Sequence, residues 1–196
     1  PQNLHILTLR EAYNTYPQLI NTYFTKLAPN HKDSLVALNT LLFHHPHILY
    51  LQPDTTLDKP LIIHHPPHTT SHTRLLIILG DNTQLQLIET FPPSSNTLIH
   101  RVAEIVLQSY AKLDYYHIQT EQTPQALHIP YTYIHQHKAT HLNHYSFTLA
   151  GELIRNHLQV NLTEPHSEAH LYGIYQASES AYIENHLIVN HQAPYT

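Results

Sequence analysis

The sequence predicts a mainly β protein with an α-helical N-terminus: a parallel, right-handed β-helix, or solenoid, with coils of about 28 residues. Three observations predict it. A small-x-Leu pattern recurs at Thr55-Thr56-Leu57, Thr83-Gln84-Leu85, Ala111-Lys112-Leu113, Thr140-His141-Leu142 and Ala169-His170-Leu171, with steps of 28, 28, 29 and 29 between leucines. Residues 8–45 carry helical periodicity and helix caps. After Pro46, short apolar runs of three to six residues alternate with polar turns. The chain therefore divides into an N-terminal helical region, 1–46, and a β-helix core, 47–196.

The helical elements come first. Thr8 and Glu11 have the spacing of a capping box. Tyr16-Pro17 breaks the run, and Pro17 is placed to open a second helix. Leu19, Ile20, Tyr23, Phe24 and Leu27 then share one face. Pro29-Asn30 signals a turn. Asp33 or Ser34 can cap a third helix with Leu35, Leu38, Leu42 and Phe43 on its inner face.

In the core, the pairs Leu49/Leu51, Ile77/Leu79, Ile105/Leu107 and Ile134/Gln136 stand eight and six residues before their anchors. In the fifth copy Leu158, Val160 and Leu162 lie earlier, and Thr163-Glu164-Pro165 reads as an insertion. Stacked coils would bury these leucines as a ladder. An antiparallel sandwich is the alternative, but it has no reason to keep a 28-residue register. A sixth anchor would fall near residue 200, and Leu187/Val189 already stand 29 residues after Leu158/Val160. The core is thus expected to end mid-coil at Thr196, as a fragment or with a partner over its edge. The N-terminal helices are expected to cap the other end. The chain starts at Pro1 and contains no Met, so its native start is expected to have been removed or to lie upstream.

Composition narrows the function. Fourteen acids against nine bases, a net charge of −5, argue against a nucleic-acid binder. No apolar run approaches the roughly 20 residues of a membrane span. Zero Cys excludes disulfides and thiolate metal ligands from these 196 residues. Three Gly, no Met and no Trp beside 21 His suggest a guanine-poor coding strand, so abundant His need not mean metal. His44-His45-Pro46-His47 and His64-His65-Pro66-Pro67-His68 with His72 match no structural zinc spacing. His135 and His137, or His141 and His144, could begin a metal site on adjacent coils, but no third or fourth ligand can be placed from sequence. The glycines Gly80, Gly151 and Gly173 cannot form a phosphate loop or a nucleophile elbow. The solenoid acids share no common register, so no catalytic row emerges and each reads as surface charge. The strand tyrosines read as ladder residues with their hydroxyls near solvent. A β-solenoid carbohydrate-active enzyme and a His-rich metal-binding module remain as alternatives to a scaffold.

Several segments resemble the SufB/SufD family of iron–sulphur cluster assembly proteins, its SufD branch in particular. Leu35-Val36-Ala37-Leu38-Asn39-Thr40-Leu41-Leu42-Phe43 is similar to its Ala-Leu-Asn-x-x-x-Phe helix end. Arg74-Leu75-Leu76-Ile77-Ile78 with Leu87-Ile88-Glu89 resembles its first core coil, and Arg155-Asn156-His157-Leu158 its Arg-Asn-x-Leu strand. Leu171-Tyr172-Gly173-Ile174-Tyr175, Asn185-His186 and His191-Gln192-Ala193-Pro194 resemble the family's next segment. The resemblance implies a cytoplasmic, non-enzymatic scaffold with no resident cofactor or metal and no catalytic residue. Its partners would be a SufB-like paralogue and a SufC-like ATPase, with the iron–sulphur cluster held transiently by the assembled complex. The resemblance also implies that the family's docking helices and its Cys-x-His segment would fall beyond Thr196. Arg155, Asn156, Asn185, His186 and His191 are the candidate functional residues; pairing of adjacent coils is the other role they fit.

Overall fold

The computed structural model describes residues 3–65, 70–91, 98–120, 127–149, 151–177 and 180–196. The chain opens with β1 (Leu4–Thr8), α1 (Leu9–Thr15), α2 (Pro17–Tyr23) and α3 (Ser34–Leu42). The caps are those the sequence predicts. Thr8 and Glu11 form a reciprocal capping box, Pro17 opens α2, and Asp33 accepts from the amides of Leu35 and Val36.

Two parallel sheets then wind as a solenoid. One sheet holds β2 (His47–Leu51), β4 (Thr70–Leu79), β6 (Leu98–Leu107), β8 (Leu127–Gln136), β10 (Leu153–Leu162) and β12 (Tyr182–His191). The facing sheet holds β3 (Leu61–His64), β5 (Gln84–Phe91), β7 (Lys112–Gln119), β9 (His141–Thr148) and β11 (Glu168–Tyr175). Alternate residues point inward, as the pleat requires. Leu75, Ile77 and Leu79 thus stack on Ala103, Ile105 and Leu107, and Leu85 stacks on Leu113, which stacks in turn on Leu142. They form one continuous core with Val160 and Leu162. Burying each such aliphatic side chain contributes about 1.5–3 kcal/mol.

The repeat's small residue has a mechanical role. Thr83 Oγ1 bonds the Gly80 carbonyl and Thr140 Oγ1 the His137 carbonyl, each three residues back, closing the turn into the second sheet. The fifth copy differs from the expected one. Ser167 makes this bond to Glu164, and Ala169 stacks on Leu142. Leu171 lies two residues further, in register with His144. The anchor triplet is therefore Ser167-Glu168-Ala169. The short connection 149–152 causes the shift: Leu158 stacks on Thr132, only 26 residues earlier. Gly151 supplies that connection with a φ of +135°, in the region that favours glycine.

The same turns place non-glycine residues at positive φ: Asp54, Asn82, Tyr110, Ala139 and His166. Each one's amide donates to a carbonyl of the next turn, as Tyr110 does to Lys138 at 2.9 Å and Ala139 to Pro165 at 3.1 Å. The coil spacing explains why the left-handed residue recurs without glycine to supply it. A non-glycine residue there costs about 1–2 kcal/mol. Ala139→Gly is expected to stabilise the protein by about 0.5–1 kcal/mol in urea unfolding, because the strain relieved exceeds the added chain entropy. A destabilised variant would show that the turn holds Ala139 without strain.

The helices do not sit over the end of the solenoid. They lie along the outer face of the larger sheet, where Ala12 and Ile20 pack on Ile48, Leu76, Ile78 and Val106. Ala28 and Val36 continue the layer onto Val102, Tyr131 and Tyr133. The sheet's first edge is instead covered by β1, antiparallel to β2 from Leu4–Leu51 to Thr8–His47. The outer rows Leu76 and Ile78 are apolar and need a cover, which an end cap would not supply. The inner face of α3 also differs from expectation. Val36 and Asn39 are buried, whereas Leu38, Leu41 and Leu42 are 41%, 82% and 39% exposed. Asn39 takes the inner position because its Nδ2 donates to the Thr73 and His100 carbonyls.

Candidate functional site

Inside the solenoid the apolar ladder gives way to polar rows where the smaller sheet's strands end and the larger sheet's begin. Glu89, His117, Ser146 and Gly173 form one inward row. Arg101, Pro130 and Asn185 lie on the facing sheet, with Asn156 stacked on Asn185. The rows meet across the lumen. Arg101 donates to both Glu89 oxygens and to Tyr115, and Tyr115 donates to Glu89. The guanidinium also reaches Thr132 Oγ1 at 2.6 Å and the Tyr131 carbonyl at 3.2 Å. His65 closes the group at 2.7 Å from Glu89.

Burial pushes the Glu89 carboxyl up, but Arg101 and His65 outweigh it and hold the group well below the carboxylate range. Burial likewise drives the Tyr115 hydroxyl well up. The surrounding imidazoles are held neutral. Burial pushes His117 down to about 3, partly opposed by Glu89. It pushes His144 down to about 4, with Arg101 adding to it. His128 lies well below its ordinary value for the same first reason.

This fixes an acid response. Unfolded histidine titrates near 6.5. Since the folded values are lower, the unfolded chain takes up protons first as pH falls. Stability is full above about pH 6.5 and declines from there toward pH 4. Urea midpoints measured from pH 7.5 to pH 5 should fall steadily, and His117→Phe should flatten the decline. An unchanged slope in that variant would show that His117 is not buried in the neutral form.

Further along the lumen, between β9–β11 and β10–β12, lies a cavity of about 280 Å³. Its walls include His144, Ser146, Thr148, Asn156, His157, Gly173, Asn185 and His186. Gly173 leaves its row unfilled, since a Cβ there would meet no atom within 4 Å. Asn156 Nδ2 donates to Thr148 Oγ1 across the lumen at 3.0 Å and to Asn185 Oδ1 at 2.9 Å. No carboxylate lines the cavity among the described residues. Imidazoles, amides and hydroxyls there can hydrogen-bond a polar guest or ligate a borderline metal ion. They offer no paired acid and base for hydrolysis.

Two sequence-predicted residues, Asn156 and Asn185, face into this cavity; His186 borders it from the outer face of β12, where it packs edge-on against His157 with ring centroids 4.8 Å apart. Two stand apart. Arg155 pairs with Glu184 at 3.3 Å on the outer surface. His191 lies at the last row of β12, with Nδ1 2.8 Å from Thr196 Oγ1. The imidazoles near residue 64 do not converge. His64 meets Thr90, His65 meets Glu89 and His72 meets His100, while His68 lies outside the described residues.

The acids depart from the surface reading at two positions. Glu89 and Glu104 are fully buried, each bonded to a buried arginine. Tyr115 likewise keeps its hydroxyl in the core instead of near solvent. Strand alternation could have placed Glu89 and Arg101 inward, two residues from Leu87 and Ala103 respectively. It could not have shown that they meet.

A family model described as "SUF system FeS cluster assembly, SufBD core domain" matches residues 62–196. A second, described as "SufBD protein N-terminal region", matches residues 1–63. No curated protein matches the chain. No helix among the described residues is long and apolar enough to cross a membrane.

Proposed function

The chain belongs to the SufBD family of the SUF iron–sulphur cluster assembly system, and from that premise we propose that it is a non-enzymatic, SufD-like scaffold subunit. In this reading it pairs with a SufB-like chain and a SufC-like ATPase in the cytoplasm, and ATP turnover belongs to the ATPase. The cluster is cargo of the assembled complex, with no cofactor resident in this chain. One observation carries the scaffold reading: the two fully buried carboxylates, Glu89 and Glu104, are each neutralised by an arginine. A glycoside hydrolase of the usual kind needs two free carboxylates facing its substrate.

The test is reconstitution. The full-length chain is co-expressed with SufB-like and SufC-like chains of the same source, then loaded with iron and sulphide. A three-component complex with cluster absorbance is expected, and no ATP hydrolysis by this chain alone. Elution of the other two without it would defeat the partner assignment. His186→Ala, at an exposed cavity position, is expected to lower cluster loading several-fold without breaking the complex. Unchanged loading would make the cavity structural only.

A further inference from the structure

On the outer face of the smaller sheet, away from the lumen, the winding brings two histidines and a glutamate together. His141 opens β9, and Glu168 opens β11 directly beside it in register. His170 stands two residues later on the same outward face of β11. One ligand atom from each lies within 4.8 Å of the other two. His141 Nδ1 is 3.2 Å from Glu168 Oε2, and the His141 and His170 ring centroids are 5.3 Å apart. Adjacent strands lie about 4.8 Å apart and alternate residues share a face, so backbone geometry alone holds this triangle.

We propose that His141, Glu168 and His170 form a surface binding site for a divalent transition-metal ion. Two donors that each lie about 2.0–2.2 Å from one ion stand roughly 3–3.5 Å apart, which the His141–Glu168 pair already meets. The exposed His170 closes on them by side-chain rotation. Two imidazoles and one carboxylate on one side leave the remaining positions to water, a donor set that suits Zn²⁺, Co²⁺, Ni²⁺ or Fe²⁺. Ca²⁺ and Mg²⁺ are disfavoured, since they call for several oxygens and Glu168 is the one carboxylate in the group. Lys112 occupies the rung beyond His141, so the site gains no second negative charge from β7. Affinity must come from the nitrogen donors. The proposal does not rest on the cluster-assembly reading.

The experiment titrates the full chain with Co²⁺, read by visible absorption, and with Zn²⁺, read by calorimetry at pH 7.5. One saturable site is expected. His170→Ala and His141→Ala should each weaken it 10- to 100-fold, and Glu168→Gln should also weaken it. His64→Ala, at an exposed histidine on another strand, should leave it unchanged. Unfolding curves check that each variant is folded, and His170→Gln replaces any that is not. Graded uptake without a saturable step would overturn the site, as would a folded His170 variant that binds Zn²⁺ like the parent. In either case His141 and Glu168 form only a hydrogen-bonded pair.

Discussion

Arg101→Ala is expected to destabilise the protein by about 3–5 kcal/mol, because the substitution takes the arginine counter-charge from the fully buried Glu89 and leaves it only His65 and Tyr115 as partners. For a chain of this length that corresponds to a fall in Tm on the order of 10 °C. The loss has several parts. Arg101 donates to Glu89, Tyr115, Thr132 and the Tyr131 carbonyl, so its removal orphans acceptors from both sheets. The double variant Arg101→Met with Glu89→Leu separates pairing from packing. It removes both charges at similar volume, and a buried pair replaced in this way is often neutral or stabilised. Most of the lost stability should therefore return. A single variant within about 1 kcal/mol of the parent would show that the lumen is wet enough to solvate the carboxylate.

The second large effect is expected at Glu104, which ties the helical layer to the solenoid. One of its oxygens accepts from the amides of Leu27 and Ala28, at 2.8 and 3.0 Å. The other accepts from the Thr25 amide at 2.9 Å and from Arg74 Nη2 at 2.9 Å. Arg74 Nε also donates to it, at 3.2 Å. Five donors thus converge on one carboxylate. Glu104→Gln turns one oxygen into an NH₂ group that must face donors, and it leaves Arg74 without a counter-charge. A cost of about 3 kcal/mol is expected. The effect should be local first: amide hydrogen exchange at Thr25, Leu27 and Ala28 should speed up before that of β6. Unchanged protection at these three amides would show that apolar packing alone holds the connection between α2 and α3.

Much of the architecture is legible in the chain. A period of 28 to 29 residues with inward leucines has one economical solution, coils stacked in parallel, because only stacking buries every anchor. The Thr8–Glu11 box and the Asp33 cap are local chemistry, readable within four residues. The fifth anchor departs from the repeat for a physical reason. Leu171 fits the pattern, but the hydroxyl that closes the turn belongs to Ser167: the shortened connection 149–152 takes three residues out of the coil, and the turn 163–167, one residue longer than 137–140, returns one of them. Similarly, Leu38 and Leu42 look like the inner face of α3, yet Asn39 is turned inward by two carbonyls from β4 and β6. Helical periodicity carries no information about which side chain a sheet will accept as a partner.

The site is legible only in part. Asn156 and Asn185 stand out in the sequence and face the cavity, whereas Arg155 and His186 turn to the outer face, as strand alternation requires of the residues next to them. By itself the sequence determined the solenoid, its coil length and the caps of its helices, since periodicity and capping are written in neighbouring residues. Only the tertiary structure decided which polar groups meet. Glu89 finds Arg101, Glu104 finds Arg74, and His141 finds Glu168 across 12, 30 and 27 residues. Those pairings depend on how each coil closes and on which face each strand presents. For the two pairs buried from water, Glu89–Arg101 in the lumen and Glu104–Arg74 beneath the helices, an unpaired charge costs several kcal/mol, so the closed fold selects the partners.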